Sequence, residues 1–297
     1  MNQQATETNV ATETKMAATP RTVVVVGATS EVGAEVASVL AGQGHKVRGV
    51  ARSLGVALDD AAALKSAFSG ADSAYVMIPF DVTAPDLHRF EDEVGERLAT
   101  AIANSGMRRV VLLSGLNAHL RMGTSLGAAM MEERLEALGL DELVLLRASF
   151  FMENFAKGMG FVQQAETGVF ATPFRGDLPM PLIAARDIGQ RAAALLGSDR
   201  LQAGRVVELH GGGYYTFEQA TAILGKAIGR EVAYHAAPFA DARAGMIANG
   251  MSASFADALG ETAASFNKGE RWALEAPSAQ NATPTSFEAW AQAFARA

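Results

Sequence analysis

The sequence predicts an α/β fold built on a doubly wound parallel sheet, with a smaller, mainly helical cap toward the C-terminus. Three observations predict it. Short β-branched runs alternate with amphipathic stretches as far as residue 150, the first run leads straight into a glycine turn, and after Phe150 the rhythm loosens into Gly, Pro and aromatic residues.

The elements follow in order. Arg21–Val26, RTVVVV, lacks polar alternation, as expected of a parallel strand covered on both faces. Beyond the turn, Val32, Val36, Val39 and Leu40 recur at helical spacing, and Gly42 and Gly44 stop the helix. Lys46–Val50 predicts a second strand, Gly55–Leu58 a short third, and Ala61–Ser69 a helix. Tyr75–Ile78, ended by Pro79, predicts a fourth strand, and Leu87, Phe90, Val94, Leu98 and Ile102 mark one face of a helix closing at Gly106. Arg109–Leu113 predicts a fifth strand. A helix over Leu126–Leu138, ended by Gly139, leads to a sixth, Leu143–Leu146.

Phe155–Pro181 is expected to lie over the strand ends. Asp187 is expected to cap a helix running to Leu196, and Val206–Leu209 to return a strand to the sheet. Thr216 with Gln219, and Thr285 with Glu288, have capping-box spacing, and residues 276–285 read as a loop. The division that follows is a flexible tail over 1–20, a nucleotide-binding domain over 21–150 with 187–209 returning to its sheet, and a cap made of 151–186 and 210–297.

Composition narrows the function. The 25 basic and 32 acidic side chains give a net charge of −7 without a basic cluster, which argues against direct nucleic-acid binding. The absence of Cys excludes disulfides, thiol nucleophiles and Cys-ligated zinc, so redox work requires a bound cofactor. No apolar run approaches the roughly 18 residues of a membrane span. The first twenty residues lack an apolar signal core and carry Glu7 and Glu13, so the expectation is a cytoplasmic protein.

GATSEVG, Gly27–Gly33, lies between a strand and a helix, the context that turns a glycine pattern into a dinucleotide-binding expectation. Gly27 permits the tight turn, Gly33 lets the helix approach the sheet, and the helix start offers unpaired N–H groups to a pyrophosphate. The middle position is Ser30 rather than Gly, and a purely structural turn stays open. About 20 residues on, where an acidic residue would select NAD, the chain reads Val50-Ala51-Arg52-Ser53. Arg52 offers a planar cation for a 2′-phosphate and Ser53 a further donor, so NADP(H) is expected over NAD(H). An exposed Arg52 without a specific role is the alternative, and Glu31 would repel phosphate unless it points to solvent.

On these residues, and on Tyr75-Val76-Met77-Ile78-Pro79, Val111-Leu112-Leu113-Ser114-Gly115, Leu146-Arg147-Ala148-Ser149-Phe150-Phe151-Met152-Glu153-Asn154, Ala185-Arg186-Asp187-Ile188-Gly189, and Leu209-His210-Gly211 with Thr216-Phe217-Glu218, the chain resembles the NmrA-like family. These are atypical short-chain dehydrogenase relatives that include NADP(H)-sensing regulators and quinone, triphenylmethane and isoflavonoid-type reductases. The resemblance implies a Rossmann domain with NAD(P)(H) along the strand ends and a substrate cleft under a cap. It implies that Gly27, Ala28, Thr29, Ser30, Glu31 and Val32 meet the pyrophosphate and Arg52 the adenosine phosphate. Ile78, Pro79, Ser114 and Ala148–Phe151 would line the nicotinamide end.

Two departures matter. None of Tyr75, Tyr214, Tyr215 or Tyr234 is followed four residues later by Lys, and the Lys that the resemblance would place near Ala128 is missing. Ser114, Asn117 and His119 follow the fifth strand and could face the nicotinamide; Ser114 and His119 are the catalytic candidates, with His119 the one candidate local acid. An exposed loop histidine is the alternative, and Ser114 could instead bond cofactor or backbone. Asn117, Phe151, Asn154 and Phe155 are the expected acceptor contacts, although Glu153 and Asn154 could equally fix the cap. Phe150, Phe151, Phe155, Phe161, Phe170 and Phe174 would suit a flat apolar acceptor, or simply fill an interdomain core. His210 and His235 lack ligand spacing, so no metal is expected, and Lys157 reads as solvated. Two functions remain: an NADPH-preferring oxidoreductase acting on an apolar conjugated acceptor such as a quinone, and an NADP(H)-sensing regulator acting through a protein partner without turnover. A homodimer is compatible with either.

Overall fold

The computed structural model describes residues 19–201 and 205–296; most of the expected tail, residues 1–18, lies outside them. The run Val23–Val26 has no exposed surface and forms β1 (Thr22–Val26), an interior strand of a sheet. There follow α1 (Glu31–Gly42), β2 (Lys46–Val50), α2 (Ala61–Phe68), β3 (Ser73–Val76), α3 (Leu87–Ser105), β4 (Arg109–Gly115), α4 (Leu126–Ala137) and β5 (Glu142–Ala148). The chain then forms β6 (Phe150–Phe151), α5 (Phe161–Ala165), β7 (Val169–Thr172) and β8 (Met180–Ile183), and returns through α6 (Ala185–Gly197) to β9 (Val206–Leu209). It ends with β10 (Gly213–Tyr215), α7 (Phe217–Ala227), β11 (Ala233–Ala236), α8 (Phe239–Ala248), α9 (Ala253–Asn267) and α10 (Phe287–Phe294).

Six parallel strands lie in the order β2-β1-β3-β4-β5-β9. Strand order reverses between β1 and β3, so the crevice at their carboxyl ends is where such a sheet takes ligands. Val32, Val36 and Leu40 of α1 meet Ile188 and Leu196 of α6 on one face. On the other, Leu64, Phe68, Leu98, Met131 and Leu135 from α2, α3 and α4 fill a second layer. A residue such as Leu98 is fully buried, so Leu98→Ala costs about 2–5 kcal/mol.

The cap has a core of its own, built from Phe155, Phe161, Phe170, Phe174, Phe217, Phe266 and Phe287. Around it stand helices α7, α9 and α10 and two small sheets, β10-β8-β6 and β11-β7, whose strands periodicity did not reveal. Phe174 stacks on Phe217 at 5.0 Å between ring centroids.

Three local expectations are corrected. Gly55–Leu58 is not a strand: a 3₁₀ turn over Arg52–Leu54 ends at Gly55 in the left-handed region (φ 80°), while Val56 and Leu58 pack onto the sheet core. Asp187 does not cap α6, whose N-cap is Ala184; its carboxylate accepts from Thr285 N and Oγ1 at 3.0 and 2.8 Å. Thr285 is therefore committed elsewhere, and Ser286 caps α10 by accepting from Ala289 N. In both cases a long-range partner displaces the local cap. The capping box of Thr216 and Gln219 forms in both halves.

Candidate functional site

The glycine turn is fixed by close approach. A Cβ on Gly33 would lie 2.1 Å from the Gly27 carbonyl oxygen, and Gly27 itself has φ 70°. Ser30 occupies the N-cap of α1, its hydroxyl accepting from Gly33 N at 3.1 Å. The cap consumes one of the helix's initial N–H groups and leaves those of Glu31 and Val32 facing out of the helix start, with the positive end of the helix dipole behind them. A serine therefore serves here as a cap, and the small backbone cradle remains.

A cavity of about 630 Å³ opens beside this turn, lined by Gly27, Thr29, Ser30, Arg52 and Pro79 together with Asp59, Asp81, Thr83, Phe90 and Arg97. The exposed Arg52 guanidinium has no ion-pair partner within contact distance among the described residues. Asp81 is held below the usual carboxylate range, chiefly by hydrogen bonds from the Thr83 hydroxyl and backbone N–H at 2.7 and 3.0 Å, with Arg52 a smaller contributor. Arg97 is a second cation at this end, which the sequence reading missed because its helical spacing marks only a solvated face.

A second cavity of about 260 Å³ lies at the carboxyl ends of β4 and β5 under the cap and shares Met77 and Phe80 with the first. Ile78, Ser114, Asn117, Ala148, Phe150, Phe151 and Asn154 line it, as do Ser125, Ala128, Ser149, Thr262 and Trp272. None of the described residues lining it carries a charge. Ala128 faces this space, so the position where the resemblance placed a lysine does reach the site, with a methyl group instead. Ser125 Oγ donates to Asn117 Oδ1 at 2.6 Å. Trp272 arrives from a segment remote in sequence and carried no local signal.

The comparisons with known proteins bear on this geometry. A model described as the NmrA-like family matches residues 19–291. The chain belongs to that family. Solved structures similar to it include Escherichia coli NADPH-dependent quinone oxidoreductase QOR2 complexed with NADPH, at 22% identity over 92% of this chain and 99% of that one, with a TM-score of 0.69. Citrobacter sp. triphenylmethane reductase complexed with NADP(H) is similar at 17% identity over 92% and 99%, TM-score 0.67. NmrA, a negative transcriptional regulator, in complex with NAD is similar at 21% identity over 74% and 75%, TM-score 0.58. No curated protein matches the chain. At these identities the structures establish the shared Rossmann-type fold.

Several expected contacts of this NmrA-like chain lie outside both cavities. His119 is turned away: its Nε2 bonds the Arg271 carbonyl at 3.0 Å and its Nδ1 is buried without a partner among the described residues, so the ring anchors a loop. Phe155 is packed at 1% exposure inside the aromatic cap core, 5.3 Å from Phe217 and Phe287. Phe161, Phe170 and Phe174 share that core, which answers the choice between cleft and core for all four. Ser53 is exposed in the 3₁₀ turn, Ala28 faces Gly49, and Val32 and Gly33 are buried in helix–sheet packing. Glu31 pairs with Lys157, so Lys157 is not simply solvated. Glu153 fixes the cap as one reading expected, accepting from Ala185 N and Trp290 Nε1, each at 3.0 Å. Among the described residues no group of three His, Asp or Glu could hold a metal, and no helix is long and apolar enough to cross a membrane.

Proposed function

We propose that this chain is an NAD(P)H-dependent oxidoreductase that prefers NADPH and reduces an apolar conjugated acceptor such as a quinone. One observation carries the reading: a glycine-turn cavity with a free arginine meets, at Met77 and Phe80, an uncharged and largely apolar cavity at the strand ends. The residues fit the cofactor, because the turn would be filled by any Cβ at Gly33 and the Ser114 hydroxyl is a buried polar atom without a partner. Gly27, Thr29, Ser30 and the N–H groups of Glu31 and Val32 would hold the pyrophosphate, with Ala28 and Gly33 shaping the turn. Arg52 would hold the 2′-phosphate. Ile78, Pro79, Ser114, Ala148 and Phe150 would hold the nicotinamide end, leaving Asn117, Phe151 and Asn154 for the acceptor. The reading divides the chain into a nucleotide-binding domain and a cap, in a cytoplasmic protein.

When bound, the dinucleotide supplies a hydride from its nicotinamide ring. The chain's own part is orientation and exclusion of water: Phe150, Phe151 and Trp272 wall the cavity, and holding two reactants in register removes an entropic barrier. No side chain lining the cavity titrates near neutrality, so the reduced acceptor takes its proton from solvent. The same lack of an acid, with the missing Tyr-x-x-x-Lys pair, favours the second reading, a cofactor sensor that engages a protein partner. Titrating the protein with NADPH and NADH by nicotinamide fluorescence, then adding a quinone and following NADPH absorbance, separates the two. Protein-dependent oxidation supports the reductase; tight binding without oxidation supports the sensor.

A further inference from the structure

Three buried polar atoms at the inner cavity have no partner among the described residues: Ser114 Oγ, Ser149 Oγ and Asn117 Nδ2. Their residues are 4%, 3% and 5% exposed. An orphaned buried donor costs about 1–3 kcal/mol, so three around one cavity mark a place where a ligand completes the bonding. Ser125 Oγ donates to Asn117 Oδ1 at 2.6 Å, which fixes the amide with its NH2 end unpaired. Ser114 is taken up at the nicotinamide end of the proposed cofactor; the Nδ2 donor of Asn117, a residue left for the acceptor, and Ser149 Oγ are not.

The charge balance selects the ligand. A cation entering this cavity would lose its water without meeting a carboxylate, and an anion would meet no basic group, both of which are costly. Neutral, unpartnered donors on residues that line an uncharged space match a neutral acceptor oxygen. We infer that Asn117, oriented by Ser125, donates a hydrogen bond to the carbonyl oxygen of a flat, neutral acceptor, with Ser149 as a second donor. This rests on the reductase reading and names its substrate class, a carbonyl-bearing acceptor rather than a cationic dye. When bound, the nicotinamide would supply the hydride and be oxidised, its C–H bond breaking as one forms on an acceptor atom conjugated with the carbonyl. The carbonyl electron pair moves onto oxygen and a solvent proton completes the reduced product. Donors aimed at that oxygen stabilise the charge as it develops. Ser125 is a positioning residue.

The test uses Ser125→Ala, Asn117→Leu and wild type, with melting temperatures confirming that each folds. Three quantities are measured: the NADPH Kd by nicotinamide fluorescence, the Kd of 1,4-naphthoquinone for the NADP⁺ complex by quenching of tryptophan emission, and kcat/KM for the quinone. Expected are an NADPH Kd within about twofold of wild type, a quinone Kd raised about tenfold, and kcat/KM lowered at least as much, one lost hydrogen bond of about 1.4 kcal/mol. Should Asn117→Leu misfold, Ser125→Ala decides alone. A wild type that fails to bind the quinone overturns the inference, as does an unchanged quinone Kd in the variants. An NADPH Kd that rises as far as the quinone Kd also overturns it, because the donor then serves the cofactor. A wild type that binds the quinone without turnover defeats the reductase reading instead, and the quinone Kd still judges Asn117.

Discussion

Lys157, on the π-helical turn that opens the cap, forms an ion pair with Glu31 in the first turn of α1. The pair removes the difficulty of a carboxylate at a helix start proposed to hold phosphate. An exposed pair contributes only about 0–1 kcal/mol to stability, so its effect is expected in binding. Lys157→Ala should raise the NADPH Kd about two- to fivefold at low ionic strength, where screening is weak, and leave the melting temperature unchanged. The additional change Glu31→Gln should restore affinity. Fluorescence titration at low and high salt checks both.

Arg52 lines the outer cavity with no carboxylate in ion-pair contact among the described residues. A charge-assisted bond to a 2′-phosphate is worth about 1.5–3 kcal/mol. Arg52→Ala should therefore weaken NADPH about ten- to hundredfold and leave NADH within twofold. If Arg97 supplied the selecting charge instead, Arg97→Ala would show that loss and Arg52→Ala would not.

Gly33 stands where any side chain meets backbone. A Cβ there falls 2.1 Å from the Gly27 oxygen, and because that neighbour is backbone rather than a flexible side chain, α1 must shift. Gly33→Ala is expected to cost about 2–3 kcal/mol by overpacking and to abolish measurable NADPH binding. Urea denaturation and fluorescence titration read the two effects separately.

The part of the molecule legible in sequence is the part whose physics is local. The run of four valines, the glycine turn and the spacing of Val32, Val36 and Leu40 are determined within twenty residues, and they position the cofactor cradle. Asp187 and Thr285 look like caps in sequence, yet they bond each other across nearly a hundred positions. Phe155 and Phe150 are both aromatic and five residues apart; packing against Phe217 and Phe287, invisible to periodicity, decides that only Phe150 reaches the cavity. Ser125 and Trp272 were missed for the same reason.

Burial pushes the Glu153 carboxyl above the usual carboxylate range, with the Glu31 charge adding to the shift and hydrogen bonds from backbone and Trp290 opposing it. Its folded value lies above the unfolded one of about 4.3, so the native state holds its proton longer. The favourable contribution is present below the unfolded value and is lost as pH rises through the folded one. The melting temperature of wild type minus that of Glu153→Gln should therefore fall as pH rises from about 4 to 7. A difference that grows over that range would mean the bonds to Ala185 N and Trp290 Nε1 outweigh desolvation.

Glu208 holds the segment that carries Trp272 to the cavity. It is 1% exposed, faces Arg147 across the β5–β9 register, and accepts from Leu274 N at 3.0 Å and Glu275 N at 2.8 Å. His119 holds the other end of the segment through the Arg271 carbonyl. Removing the carboxylate takes the charged acceptor from the N–H groups of Leu274 and Glu275, which belong to exposed residues and can turn to water, while Arg147 keeps its bidentate partner Glu132. Glu208→Ala should cost about 2–3 kcal/mol, shift tryptophan emission to the red as Trp272 meets water, and raise the acceptor KM several-fold at unchanged NADPH Kd. Should emission and KM both stay at wild-type values, Trp272 is held by its Nε1 bond to Ser265 and its packing on Phe266 instead.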